Sequence, residues 1–174
     1  MENPRAAELF DYWEKVRGRT RRVVDLIPPE RLEWTWQPGK FTLGDLVRHL
    51  AAIERFMYAE NARRRPSLYA GHGRELADGW DAVRAFFDAR HAESMEIFRG
   101  LSDADLERRC ETPGGASIPV HKWLRLMVEH EIHHRGQIYM ALGMLGVPTP
   151  PIYGLTSEEV RERSASGAPG AASP

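Results

Sequence analysis

The sequence predicts an all-α fold, a four-helix bundle. Three observations carry that expectation. Four long stretches place apolar residues three and four positions apart, the spacing of one helix face. Proline and glycine gather in the stretches between them. No segment alternates convincingly enough to be read as a strand. The chain has 174 residues and a hydrophobic fraction of 42%, which suits one domain with a real core. Residues 1–155 are assigned to the bundle. Residues 156–174 are assigned to a short C-terminal segment and a tail expected to be disordered.

The first helix opens near Pro4, a residue suited to a first helical turn. Leu9, Phe10, Trp13, Val16, Thr20, Val23, Val24 and Ile27 give it one inward face, and Pro28-Pro29 ends it. Glu30 to Phe41 reads as an ordered loop, with Trp34 and Trp36 capping the core and one of them open to ligand binding as well. Thr42-Leu43-Gly44-Asp45 has the form of a capping box and starts the second helix, which reaches about Arg65. Residues 66–77 form a connection. Asp78-Gly79-Trp80-Asp81 offers a further cap. The third helix carries Trp80, Val83, Phe87, His91, Met95 and Phe98 on one side and stops at Gly100. Ser102 to Arg109 is a short helical piece with a Ser-x-x-Asp start, and Thr112 to Pro119 is a turn. The fourth helix spans about Val120 to Leu145. Gly136 lies inside it, where a small residue allows close helix approach. Gly146, Pro148, Pro150 and Pro151 stop it. Residues 156–163 form a last short helix, and the tail begins at Ser164.

Composition narrows the function. A formal net charge of −1 gives no basic field for nucleic acid. Arginines cluster at Arg17 to Arg22 and Arg63 to Arg65, and are read as solvated helix ends, with contact to phosphate or an anionic substrate as the alternative. The one cysteine, Cys110, cannot form an intramolecular disulfide and fits a reducing compartment. No apolar run approaches the roughly 18 residues of a membrane span. Met1 to Glu8 lacks the apolar core of a signal peptide, so the expected location is the cytoplasm.

The most informative stretch is His130-Glu131-Ile132-His133-His134. Residues four apart stack on one helix face, so two imidazoles there can converge on one transition-metal ion, zinc or nickel above all. The inward stripe is read as Trp123, Met127, His130, His134, Ile138, Ala141 and Leu145. His49 is the best third ligand, because it falls on the second helix's apolar face with Leu46, Leu50, Ile53 and Met57. Buried imidazoles need partners for both ring nitrogens, and a shared metal supplies one to each ring. His133 could replace His134, but it lies about 100° away round the helix, so the two are poor joint ligands. His133 is read as a surface, interface or rim residue. His72 and His121 are given no role, and His91 at most an outer contact.

Several of these residues together resemble the DinB/YfiT-like metalloenzyme family. Asp45-Leu46-Val47-Arg48-His49-Leu50 opens the second helix, and His130-Glu131-x-His133-His134-Arg135-Gly136-Gln137 lies in the fourth. Trp36-x-Pro38-Gly39 and Gly146-x-Pro148 add to the likeness, which covers residues 5–153. The resemblance implies a four-helix bundle, a divalent metal on His49, His130 and His134, and a homodimer. It also implies thiol chemistry, since relatives include transferases and isomerases that use low-molecular-weight thiols. The expected function is therefore thiol-dependent S-transfer to a small electrophile. A hydrolase using metal-activated water is the runner-up, and a metal-stabilised module without catalysis is the third reading. His130, Glu131 and His134 also satisfy the His-Glu-x-x-His pattern of zinc proteases, but no histidine follows His134 to complete such a site. Glu131 is the candidate general base in either enzymatic scheme. Its offset of about 100° from His130 leaves a merely solvated role open.

Overall fold

The computed structural model describes residues 6–166. Four long helices form the bundle. Helix α1 is Ala6–Val24. Helix α2 begins as Leu43–Ile53, passes through a π-helical turn at Glu54–Tyr58 and ends as Ala59–Ala62. Helix α3 is Trp80–Arg99, and α5 is Val120–Met144. Short helices α4, Asp103–Glu107, and α6, Ser157–Ser166, with a 3-10 turn at Pro29–Arg31, complete the helical elements among the described residues. Helix α1 packs chiefly on α5, and α2 chiefly on α3. None of these helices is long and apolar enough to cross a membrane.

The helix starts follow the capping chemistry of the sequence. Asp45 N–H donates to Thr42 Oγ1 at 2.9 Å, and Thr42 N–H donates to Asp45 Oδ2 at 3.0 Å. Both bonds satisfy donors that a helix end leaves free. Ser102 and Asp105 repeat the arrangement at α4. Thr42→Ala should therefore cost about 1 kcal/mol. A lower urea midpoint at unchanged slope would register that loss. The cap expected at Asp78 differs. Gly79 occupies the position with φ 83°, and Asp78 instead accepts hydrogen bonds from Arg74.

Two apolar clusters fill the interior. One gathers Phe10, Trp13, Tyr58, Phe98, Trp123 and Leu124; the other gathers Val24, Leu46, Leu50, Val83, Phe87 and Leu142. A charged layer is buried with them. Arg17 and Thr20 come from α1, Glu54 from the π-turn, His91 from α3, and Glu131 and Arg135 from α5, all buried. Arg17 pairs with Glu54 through a close Nη2–Oε2 contact, and its Nε lies 3.5 Å from Glu131 Oε1. Trp13 Nε1 donates to Glu54 Oε1 at 2.9 Å, and His91 Nδ1 meets the same oxygen at 2.9 Å.

This layer corrects three sequence expectations. Arg17 is core, not a solvated helix end. Glu131 is 2% exposed, so it is not solvated. The buried stripe of α5 runs through Trp123, Met127, Glu131, Arg135, Ile138 and Leu142, which leaves His130 and His134 at its half-buried edge.

Other differences are local. Arg109–Glu111 and Ser117–Pro119 form a two-stranded antiparallel ladder with Cys110 opposite Ile118. The sequence reading placed helix end and turn there, because three-residue strands are too short to show alternation. Gly136 faces open space, so no close helix approach depends on it. Helix α6 continues through Ser164–Ser166, residues assigned to the tail. Pro4 and the remaining tail, 167–174, lie outside the described residues.

Candidate metal centre

Helices α2 and α5 bring three imidazoles together. His130 Nε2 lies 3.1 Å from His49 Nε2 and 3.0 Å from His134 Nε2. One ligand nitrogen from each ring falls within 4.8 Å of the other two. Zinc–nitrogen bonds of about 2.0–2.1 Å at a tetrahedral angle separate the nitrogens by roughly 3.3 Å, so the cluster fits one ion with small adjustments. No carboxylate belongs to this group among the described residues.

The far nitrogens fix the ring orientations. His49 Nδ1 lies 2.7 Å from Tyr69 Oη, and His134 Nδ1 lies 2.7 Å from Gln137 Oε1. The Gln137 carbonyl accepts from Nδ1–H, which leaves the Nε2 lone pair of His134 free to bind a cation. Donation from His49 Nδ1–H to the tyrosine oxygen does the same for His49. The Tyr69 hydroxyl can then donate to His72 Nδ1, 3.3 Å away. Gln137 Nε2 reaches His133 Nε2 at 3.2 Å.

Burial disfavours the charged rings. His49 is lowered to about 3, first by desolvation and then by His134, His130 and His72. His130 is lowered to about 4, by desolvation and then by His134 and His133. His134 is lowered by desolvation, against the hydrogen bond it donates to Gln137. All three imidazoles are therefore neutral at neutral pH, the form that ligates. Beside His130, the Tyr58 phenol is pushed up to about 12 by burial and by the Glu129 charge. It stays protonated.

Two loops frame the cluster, and Arg48 ties both to α2. Its Nε donates to Ala77 O at 2.7 Å, and its Nη2 pairs closely with Glu33. Gly44 leaves room for that guanidinium, since a Cβ there would sit 2.9 Å from Arg48 Nη1. The π-turn anchors the second loop further on, where Phe56 O accepts from Leu68 N–H at 2.7 Å. Leu68 precedes Tyr69, so the turn helps set the hydroxyl on His49. Turns of this kind recur at functional sites. From the first loop, the Phe41 ring lies 4.1 Å from His72, 5.5 Å from His49 and 6.4 Å from His134.

The structure thus brings together His49, His130 and His134, as the spacing predicts. His133 is exposed at the rim. Glu131 is not brought to the cluster; its carboxylate turns to Arg17 in the core. His91 belongs to the charged layer, and His121 meets Leu106 O at 3.1 Å. Sequence reasoning missed Tyr69 and His72, which lie in the 66–77 connection. The polar aromatic pair in a Gly-bearing loop was the available hint.

The fold and the trio of imidazoles define a helical-bundle protein of metal-site type. Residues 12–138 match the model of the DinB superfamily, and the chain belongs to that superfamily. A DinB-like protein from Bacillus cereus is 17% identical, with a TM-score of 0.71 over 86% of this chain and 98% of its own. YfiT from Bacillus subtilis, described as a probable metal-dependent hydrolase with an unusual four-helix bundle topology, is 16% identical. Its TM-score is 0.66 over 85% of this chain and 93% of its own. A mycothiol-dependent maleylpyruvate isomerase is 18% identical, with a TM-score of 0.58 over 75% of this chain and 60% of its own. At these identities the likenesses concern the fold.

Proposed function

We propose that this protein is a divalent-metal enzyme that directs a low-molecular-weight thiol onto a small electrophile. The observation that carries the reading is the donor set: three converging neutral imidazoles and, among the described residues, no carboxylate. A divalent ion held this way keeps its full charge and an exchangeable position, and so favours the ionised form of a thiol or water bound there. Tyr69 and Gln137 hold the rings of His49 and His134 in the ligating orientation. Phe41 places its ring beside His49, His72 and His134, at the edge of the cluster. Glu131, engaged with Arg17, supplies no base at the imidazoles, and a thiol pathway does not require one. The thiol dependence of one fold relative supports this choice.

Hydrolysis by activated water is the second reading, favoured by the description of YfiT. It uses the same ligands and would draw its proton acceptor from the Tyr69–His72 pair. Cobalt-loaded protein titrated with 2-mercaptoethanol, glutathione and N-acetylcysteine separates the two. The thiol reading expects a sulfur-to-cobalt charge-transfer band that saturates, followed by conjugation when an electrophile is added. Absence of the band with every thiol, together with ester or amide cleavage without thiol, would transfer the assignment to hydrolysis. A closed four-ligand spectrum with neither activity would leave a metal-stabilised module.

A further inference from the structure

The site has a second half that the three histidines do not explain. A cavity of about 610 Å³ opens directly on His134, within the roughly 300–1,000 Å³ of small-molecule sites. The loop after α1 supplies Trp34, Trp36 and Phe41 to its wall, and the last turns of α5 supply Met140 and Met144. Trp36, Met140 and Met144 are 59%, 66% and 62% exposed. On α5, Gln137, Ala141 and Met144 follow His134 at helical spacing, so this lining runs from the metal centre along the helix. Large apolar side chains left open to water beside a polar centre mark a binding surface more often than a random surface.

The polar groups of the wall are few. His134 faces the other imidazoles. Gln137 is already engaged at both ends, by His134 and His133. Lys40 is the remaining polar side chain of the lining, and among the described residues no carboxylate pairs with it. An unpaired ammonium at the edge of an apolar cavity complements one negative charge.

We propose that this cavity binds the substrate, and that the substrate is an apolar alkyl or aryl molecule carrying one anionic group. Its body lies against Trp36, Met140 and Met144, its anionic group meets Lys40, and its reacting end faces the three histidines. The proposal rests on the enzymatic reading above and adds the substrate class to it.

Straight-chain carboxylates from butanoate to decanoate, with the matching alcohols, test it by tryptophan fluorescence on the cobalt-loaded full chain. Affinity should rise about fourfold per methylene until the cavity is filled. Each carboxylate should bind more tightly than its alcohol. Met144→Arg should weaken decanol more than tenfold with cobalt retained. Lys40→Ala should bring each carboxylate down to its alcohol and leave the alcohols unchanged. Affinity that is flat with chain length would overturn the proposal. So would a carboxylate preference that survives Lys40→Ala, and a shift of the cobalt spectrum with it would place the acid on the metal. A fall in molecular mass by light scattering on Met144→Arg would assign the patch to a second copy of the chain, and would also overturn it. None of these measurements uses a thiol or turnover, so they fail or succeed separately from the thiol titration.

Discussion

His49→Ala and His134→Ala should each remove the metal and the activity together. Each ring contributes one nitrogen to a set of three among the described residues. Removing a group that merely orients a ligand costs about 10–100-fold in metal affinity, and loss of a ligand itself should exceed that range. Tyr69→Phe supplies the milder comparison. It keeps the His49 ring but deletes the hydroxyl on its Nδ1, so metal should weaken within that range. His133→Ala and Cys110→Ser should retain full metal, because His133 lies at the rim and Cys110 is buried in the β-hairpin. Metal content of untagged protein, with circular dichroism to confirm folding, is the measurement. Retention of metal by His134→Ala with its loss in His133→Ala would place the third ligand one residue earlier and overturn the site as drawn.

The parts of this structure that were legible are those that repeat locally. Helical spacing places all four long helices, and the Thr42 and Ser102 boxes mark two starts, because both depend on residues within one or two turns. His49, His130 and His134 were legible for the same reason: a helix converts spacing into direction. The buried face of α5 was read one position away from where it lies. Hydrophobicity excludes Glu131 and Arg135 from a core, and only partners from α1, α2 and α3 make their burial tolerable. Those partners lie far away in sequence. Tyr69 and His72 were hidden differently. A loop has no period, and their placement depends on the π-turn at Glu54–Tyr58 and on Arg48 reaching Ala77. Neither has a mark in the sequence.

Arg17→Met should destabilise the fold by about 3–5 kcal/mol, the cost of stripping one partner from a buried ion pair. The guanidinium stands between two carboxylates, Glu54 and Glu131, both 2% exposed or less. Its removal leaves two buried carboxylates without their shared guanidinium, with His91 Nδ1 2.9 Å from Glu54 Oε1. Glu131→Gln should cost less. The amide keeps the shape and removes a charge whose burial already pushes that carboxyl up, against the pull of Arg17, while Arg17 retains Glu54. For a chain of this length, 1 kcal/mol shifts the melting temperature by about 2–4 °C, so Arg17→Met should melt near 10 °C below the parent. The order of the two variants is the informative result. The same turn of α5 carries His130 and His134 on its edge and Glu131 and Arg135 on its buried face, so one helix serves the candidate metal centre and the charged layer at once. Glu131→Gln should therefore keep its metal and its thiol-binding band while losing stability. If instead it melts like the parent and binds metal but no longer turns over, Glu131 acts in the chemistry, and the purely structural account of the charged layer is wrong.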